Sequence, residues 1–359
     1  WKWIKPIRGF ELYILLYFVF YFFYQFLIQL AKGLEKVVDM GIAGIISTIF
    51  LVGGNLLLLL VIPLGLKGFY IANILSQATP AIYLSIRTNI FHYPVFKKCD
   101  KALRREMLVY CLPLIVTVVG WWVNSAADKY TVTFMCGASA NGLLSVSYKI
   151  PSIISVIQSI FVQAWQISAI KEYGNNDTSE FYGKAFILLN VLMAAFCSLL
   201  IIFTRPIGHV MYSKEFYQAW EYVPFLLISS VFNSAAGFLG PILSAKKDSR
   251  AMALSALFGS GTNVVLNIVF TYFIGVQGAC IATLISSAVQ YVSRKKYVGK
   301  EISITRYGLV LITWVLLCIQ AVIEIYTKLI LVQVILMAFM LILNRREVKE
   351  LFKTVKNII

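Results

Sequence analysis

Residues 181–204 read FYGKAFILLNVLMAAFCSLLIIFT, and after Lys184 no charge interrupts the run. About 20 mainly apolar residues make a helix long enough to cross a bilayer. Apolar side chains fall on every side of such a helix, with none of the alternation that a membrane barrel strand needs. Similar runs extend outward in both directions. Together they occupy 10–31, 41–62, 68–88, 106–127, 142–170, 181–204, 219–243, 250–273, 276–293, 306–323 and 326–343. Across 359 residues, 60% are hydrophobic, 13% are charged and the mean hydropathy is +0.80. A chain of this kind cannot hide its apolar surface in one aqueous core. The expected class is an all-α polytopic membrane protein.

The net charge of +16 raises the question of nucleic acid. The bases sit in short loops between apolar runs and form no folded basic face with stacking aromatics, so no nucleic-acid partner is expected. They serve instead to orient the chain, because cytoplasmic loops carry the excess of Lys and Arg. With loops assigned to alternate sides, twenty-three of the 32 bases fall on one side and eight on the other. Lys149 alone lies within a span. The rich side holds loops 32–40, 89–105, 171–184, 244–250 and 294–306 and the tail 344–359, so the C-terminus is expected in the cytoplasm. Six cysteines without a CxxC pair, and two distant histidines, support neither a disulfide framework nor a metal site. No cofactor is expected.

A weak internal repeat organises the spans. Gly65-Leu66-Lys67-Gly68 followed by Ala72 matches Gly275-Val276-Gln277-Gly278 followed by Ala282, and the same offset carries Lys36 onto Lys246. This sets the turn between spans two and three on the turn between spans eight and nine, a repeat of six helices in one orientation. Residues 1–88 then read as the second half of an N-terminal lobe and 89–105 as a basic cytoplasmic linker. Residues 106–293 form a complete C-terminal lobe, and 306–343 an added helix pair. The chain starts at Trp1 with no cleavable signal ahead of its first apolar run. The expectation is a two-lobed six-helix-repeat transporter fold that lacks its first three helices and carries two extra C-terminal ones, from a parent with fourteen spans.

The fifth span is the most informative for function. Ser145, Lys149, Ser152, Ser155, Ser159, Gln163 and Gln166 follow one another at steps of three or four residues. At about 100° per residue they share roughly one third of the helix circumference. At 1.5 Å per residue the stripe is about 30 Å long, the thickness of the hydrocarbon core. It faces either a hydrated cavity or neighbouring helices that it holds by hydrogen bonds. Lys149 either points into that cavity as the one base in a span or snorkels to the outer surface. Pro151 predicts a kink nearby.

On the fourth span Trp121, Asn124 and Asp128 share a face, and Asp128 with Lys129 is expected to end that helix outside. They read as cavity residues or as plain interfacial ones. Gln25 and Gln29 on the first span divide between packing and cavity in the same way. Trp165 reads as an aromatic anchor at the inner interface. Pro113, Pro224 and Pro241, with Gly237 and Gly240, predict broken helices. Gly259-Ser260-Gly261 fits close helix packing and is no phosphate loop, having neither the strand before it nor the GKS/T after it.

Several segments resemble the second lobe of bacterial oligosaccharide flippases, the polysaccharide-transporter branch of the superfamily that also holds multidrug-and-toxin extruders and the lipid II flippase. They are Cys111-Leu112-Pro113-Leu114, Trp121-Trp122-Val123-Asn124, Asp128-Lys129-Tyr130, Ser147-Tyr148-Lys149-Ile150-Pro151 and the run from Gln163-Ala164-Trp165-Gln166 to Ile170. Elsewhere the likeness lies in hydropathy and repeat layout. The resemblance implies two six-helix lobes around a cavity in the bacterial cytoplasmic membrane. It also implies export of an undecaprenyl-diphosphate-linked oligosaccharide from the inner to the outer leaflet. The partners it implies are that lipid-linked oligosaccharide, membrane lipids, and H+ or Na+ as a coupling ion. A cationic cavity suits a diphosphate, which matches Lys149 as the single buried base.

Two other functions compete. A membrane-embedded polysaccharide polymerase or ligase presents its catalytic group on a long outer loop, and no outer loop here exceeds about 15 residues. A cation-coupled drug extruder of the same fold is marked by a buried carboxylate. That sign reads as weak, with Asp128 at a helix end and Glu11 and Glu324 near boundaries.

Overall fold

The computed structural model describes residues 9–92 and 100–350, except 176 and 328, and the side chains of Phe91 and Lys214 are left aside. The tail from 351, and with it Lys2, Lys5, Arg8, Lys97, Lys98, Cys99 and Lys328, lies outside the described residues. Among those described there is helix and no strand, and every one of the eleven apolar runs is helical. The chain divides into two compact units, 1–100 and 101–359.

The first unit holds α1 (Glu11–Gly33), α2 (Val37–Asn55) and α3 (Leu66–Thr88), with α2 continued by a π-helical turn, Leu56–Val61. Its core is small and joins Tyr24, Leu27, Ala31, Ala43, Ala81 and Leu84. At one end Asp39 accepts from Arg87 Nε at 2.8 Å and from Tyr83 at 2.9 Å, tying α2 to α3. Gln25 and Gln29 are exposed and take no part in packing within this unit.

The second unit contains α4 (Lys101–Cys136), α5 (Ala138–Ser147), α6 (Lys149–Lys171), α7 (Thr178–Ile202) and the short α8 (Thr204–Met211). A 3-10 segment, Lys214–Tyr222, leads into α9 (Val223–Ala245), α10 (Ser249–Ile274) and α11 (Val276–Val298), with α12 (Tyr307–Tyr326) and α13 (Ile330–Leu343) completing it. Helix α9 is the axis of the unit. Nearly every residue from Val223 to Leu243 is buried, and α6, α7, α11 and α12 pack around it. Pro241 removes the amide hydrogen that would reach the Gly237 carbonyl. Neighbouring carbonyls on the same stretch take side-chain donors: Asn233 from Gln158 at 3.0 Å, Ala236 from Arg294 at 2.9 Å and Phe238 from Trp165 at 2.9 Å. A Cβ on Gly237 would lie 2.8 Å from the Gln158 amide nitrogen, so a larger residue there would displace that side chain.

The repeat turns are alike in backbone. Gly65 and Gly275 share one conformation, φ +57° and ψ −135° against φ +61° and ψ −143°. Three residues on, a Cβ on Gly68 would lie 2.6 Å from the Leu58 carbonyl oxygen, and one on Gly278 would lie 2.2 Å from that of Phe270. The Lys36–Lys246 match does not hold. The left-handed residues of the corresponding earlier turns are Glu35 and Lys247, both at φ +57°. The register shifts by two residues within α2, where the π-helical turn and Pro63 take up the extra length.

Four expectations are corrected. The single span 142–170 is two helices that meet at Tyr148, because Pro151 cannot donate to the Ser147 carbonyl and sits in the first turn of α6 instead. Helix α4 does not end at Asp128; it runs on to Gly137, whose φ of +92° stops it. Helix α11 continues past 293 to Val298, so Arg294 is a buried helical base and not a loop residue. Trp165 is no interfacial anchor. It is buried, stacked on Phe238 at 4.3 Å between ring centres.

Eight of the described helices are long and apolar enough to cross a membrane, fewer than the eleven expected. Helix α13 has 14 residues, and α3 and α11 carry more polar and small side chains. In α11 those residues, among them Gly278, Ala279, Thr283, Ser286 and Ser287, are buried against neighbouring helices, so they do not meet lipid.

Candidate functional site

Asp128 lies in the middle of the second unit and is 1% exposed. Its Oδ1 accepts from the side-chain amides of Asn263, at 3.2 Å, and Asn267. Its Oδ2 accepts from the Tyr148 hydroxyl and from Thr283 Oγ1 at 2.8 Å. The Thr283 hydroxyl has one hydrogen and also lies 3.0 Å from the Ala279 carbonyl, so it serves one acceptor at a time. Three elements, the α5–α6 junction, α10 and α11, thus converge on the carboxylate of α4 with four neutral donors. Among the described residues no cation pairs with it, and Lys129, the next residue, is exposed. The side-chain oxygen of Asn263 is buried without a hydrogen-bond partner beside it.

The centre forms one wall of a cavity of about 330 Å³. Trp121, Asn124, Ser125 and Asp128 line it from α4, Ser145 from α5, Tyr148 from the junction, and Pro151, Ser152 and Ser155 from α6. Leu226, Ser229, Ser230 and Asn233 close it from α9, with Thr283 from α11. Trp121 is 73% exposed, an indole face open beside amides and hydroxyls.

Of the expected residues, Asn124, Asp128, Ser145, Ser152 and Ser155 come together here. Lys149, Ser159, Gln163 and Gln166 do not line the cavity. Lys149 is exposed, so the expectation of a single buried base fails, and the buried base is Arg294. Arg294 is held by Ser255 at 3.1 Å and the Ala236 carbonyl, where its charge pins α11 to α9 and α10. The stripe serines bond within their own helix: Ser152 to the Lys149 carbonyl, Ser155 to that of Pro151 and Ser159 to that of Val156. They do not act as glue to a neighbouring helix.

Glu324, placed near a boundary by sequence, is a second buried carboxylate. Unlike Asp128 it is paired, with Arg205 Nε at 2.9 Å, and Gln333 donates to it at 3.3 Å. The sequence reading missed Tyr148, Asn263, Asn267 and Thr283. Asn263, Asn267 and Thr271 recur every four residues on α10, and the face count applied to the fifth span finds them. Among the described residues no group of three or more His, Cys, Asp or Glu is placed to hold a metal ion.

Comparison with known proteins fits this geometry. The MatE family model matches residues 113–273. The chain is 23% identical over 303 residues to a probable low-salt glycan biosynthesis flippase, Agl15, of Haloferax volcanii, covering 82% of this chain. It spans 62% of the length of that curated relative. In fold it is similar to the lipid II flippase MurJ in an inward closed conformation, with a TM-score of 0.61 and 16% identity over 95% of this chain and 72% of that one. The Vibrio cholerae MATE transporter VcmN in its bent form gives a TM-score of 0.66 and 12% identity over 83% of this chain and 71% of that one. Residues 113–273 thus match the MatE model within a chain whose fold is similar to those of the MATE and MurJ structures.

Proposed function

We propose that this protein is a membrane transporter that flips undecaprenyl-diphosphate-linked oligosaccharide units from the inner to the outer leaflet of the cytoplasmic membrane. The observation that carries this reading is the cavity lining. Amides and hydroxyls from Asn124, Asn233, Ser229 and Ser230 surround an open indole, Trp121. A sugar ring offers hydroxyls to the first and an apolar face to the second. The relative named as a probable glycan biosynthesis flippase supports a glycan as part of the cargo.

In this proposal residues 1–88 are half of an N-terminal lobe and 106–293 the C-terminal lobe, joined by the basic linker 89–105, with the C-terminus in the cytoplasm. Lys149, on the exposed face one turn before Ser152, meets the diphosphate. The buried, unpaired Asp128 is where the coupling ion binds, because a carboxylate out of water is relieved by a proton or a small cation. The same carboxylate also favours the second reading, a cation-coupled drug extruder.

Deletion of the gene separates the two. The flippase reading expects loss of surface polysaccharide and accumulation of the lipid-linked unit inside the cell. Restoration should follow from the intact gene and from Lys149→Arg in part, but not from Lys149→Ala or Lys149→Glu. Unchanged polysaccharide with heightened sensitivity to cationic dyes would place the protein with the extruders.

A further inference from the structure

Behind α9, on the side away from the Asp128 cavity, lies a second and larger groove of about 720 Å³. Consecutive residues of α9 separate the two: Phe232 lines the groove and Asn233 the cavity. The groove follows one face of α11 from Leu284 through Ala288 and Val292 to Lys296, and Phe258 and Cys318 flank it. Val292 is 60% exposed and Phe258 54%, so the groove opens outward from the bundle.

Three observations point to its occupant. The first is length. The twelve helical steps from Leu284 to Lys296 rise about 18 Å, and half the hydrocarbon core is about 15 Å. The second is polarity. The lining is apolar until its last turn, where Ser293, Lys296 and Tyr297 gather. The third is charge. Two carboxylates that follow α11 in the chain are taken, Glu301 by Lys246 at 3.6 Å and Glu347 by Arg306, while Lys295 sits 3.0 Å over the Tyr307 ring. Lys296 is exposed and makes no ion pair among the described residues.

We infer that this groove binds an acidic glycerophospholipid of the leaflet on the basic side, with one acyl chain along α11 and its phosphate on Lys296. The site is separate from the transport cavity and does not depend on what that cavity carries.

The test is native mass spectrometry of the intact protein released from nanodiscs of equal phosphatidylglycerol and phosphatidylethanolamine. Retention of phosphatidylglycerol in preference is expected. Lys296→Gln should lower that preference about fivefold, the worth of one base at a membrane surface. Ala288→Phe fills the groove and should reduce retention of both lipids. A photoreactive benzoylphenylalanine at Val292, which leaves the groove floor intact, should form adducts with glycerophospholipid. Equal retention of the two lipids, no effect of Lys296→Gln, or adducts with a polyprenyl phosphate in place of phospholipid would overturn the inference.

Discussion

Asp128→Asn is expected to reduce export to the level of the empty vector while the protein still folds and inserts. The substitution keeps the shape of the side chain and removes its charge. It also turns one acceptor into a donor, facing a shell made of the donors Asn263, Asn267, Thr283 and Tyr148. An uncharged residue has no reason to take up a proton or cation, so the site loses its response to an ion gradient. Folding should suffer less than function, because the cost of burying a charge disappears together with the bonds that it makes. Asp128→Ala differs in this respect. It strands several buried donors at about 1–3 kcal/mol each, and its yield should fall as well. Export in a complemented deletion strain, read beside the melting temperature of the purified variant, separates the two effects. Full export from Asp128→Asn would remove Asp128 from the mechanism.

Arg205→Leu should be the most destabilising single change in the second unit. Arg205 lies on α8, pairs with Glu324 on α12 and lies 4.1 Å over the Trp220 ring. The Glu324 side chain is 4% exposed, so removing Arg205 leaves a buried charge unanswered at about 3–5 kcal/mol. Arg205→Leu combined with Glu324→Gln removes both charges and should recover most of the loss. Melting curves of the single and double variants in detergent give the comparison. A double variant no better than Arg205→Leu would mean that the contact of Arg205 with Trp220, and not its pairing with Glu324, carries the stabilisation.

The helices were legible because lipid demands long apolar runs, and each run is helical, though 142–170 forms two helices. Their ends were not, and two errors follow from that. Nothing apolar marks Gly137 as the stop of α4, so Asp128 was placed at a helix end where a carboxylate meets water. It lies eight residues inside, in the driest part of the unit. Likewise α11 was ended at 293, which left Arg294 in a loop and made Lys149 the only base to explain. The polar stripe of the fifth span is legible by its face, yet only Ser145, Ser152 and Ser155 line the cavity, because α6 leaves the wall beyond Ser155. Three of the four partners of Asp128 come from α10 and α11, more than 130 residues away, and no local pattern ties them to it. Glu324 was passed over for a related reason, since its pairing with Arg205 exists only in three dimensions.

The central claim is that the cargo is a lipid-linked oligosaccharide and that Asp128 couples its movement to an ion. The most direct measurement places the intact protein in sealed vesicles with undecaprenyl-diphosphate oligosaccharide in the inner leaflet. It follows how much becomes accessible to an external glycosidase when a Na+ or proton gradient is imposed. Accessibility should rise with one of the two gradients and stay at the level of protein-free vesicles for Asp128→Asn. Transport of a cationic dye under the same gradient, with the oligosaccharide no more accessible than in protein-free vesicles, would contradict the account.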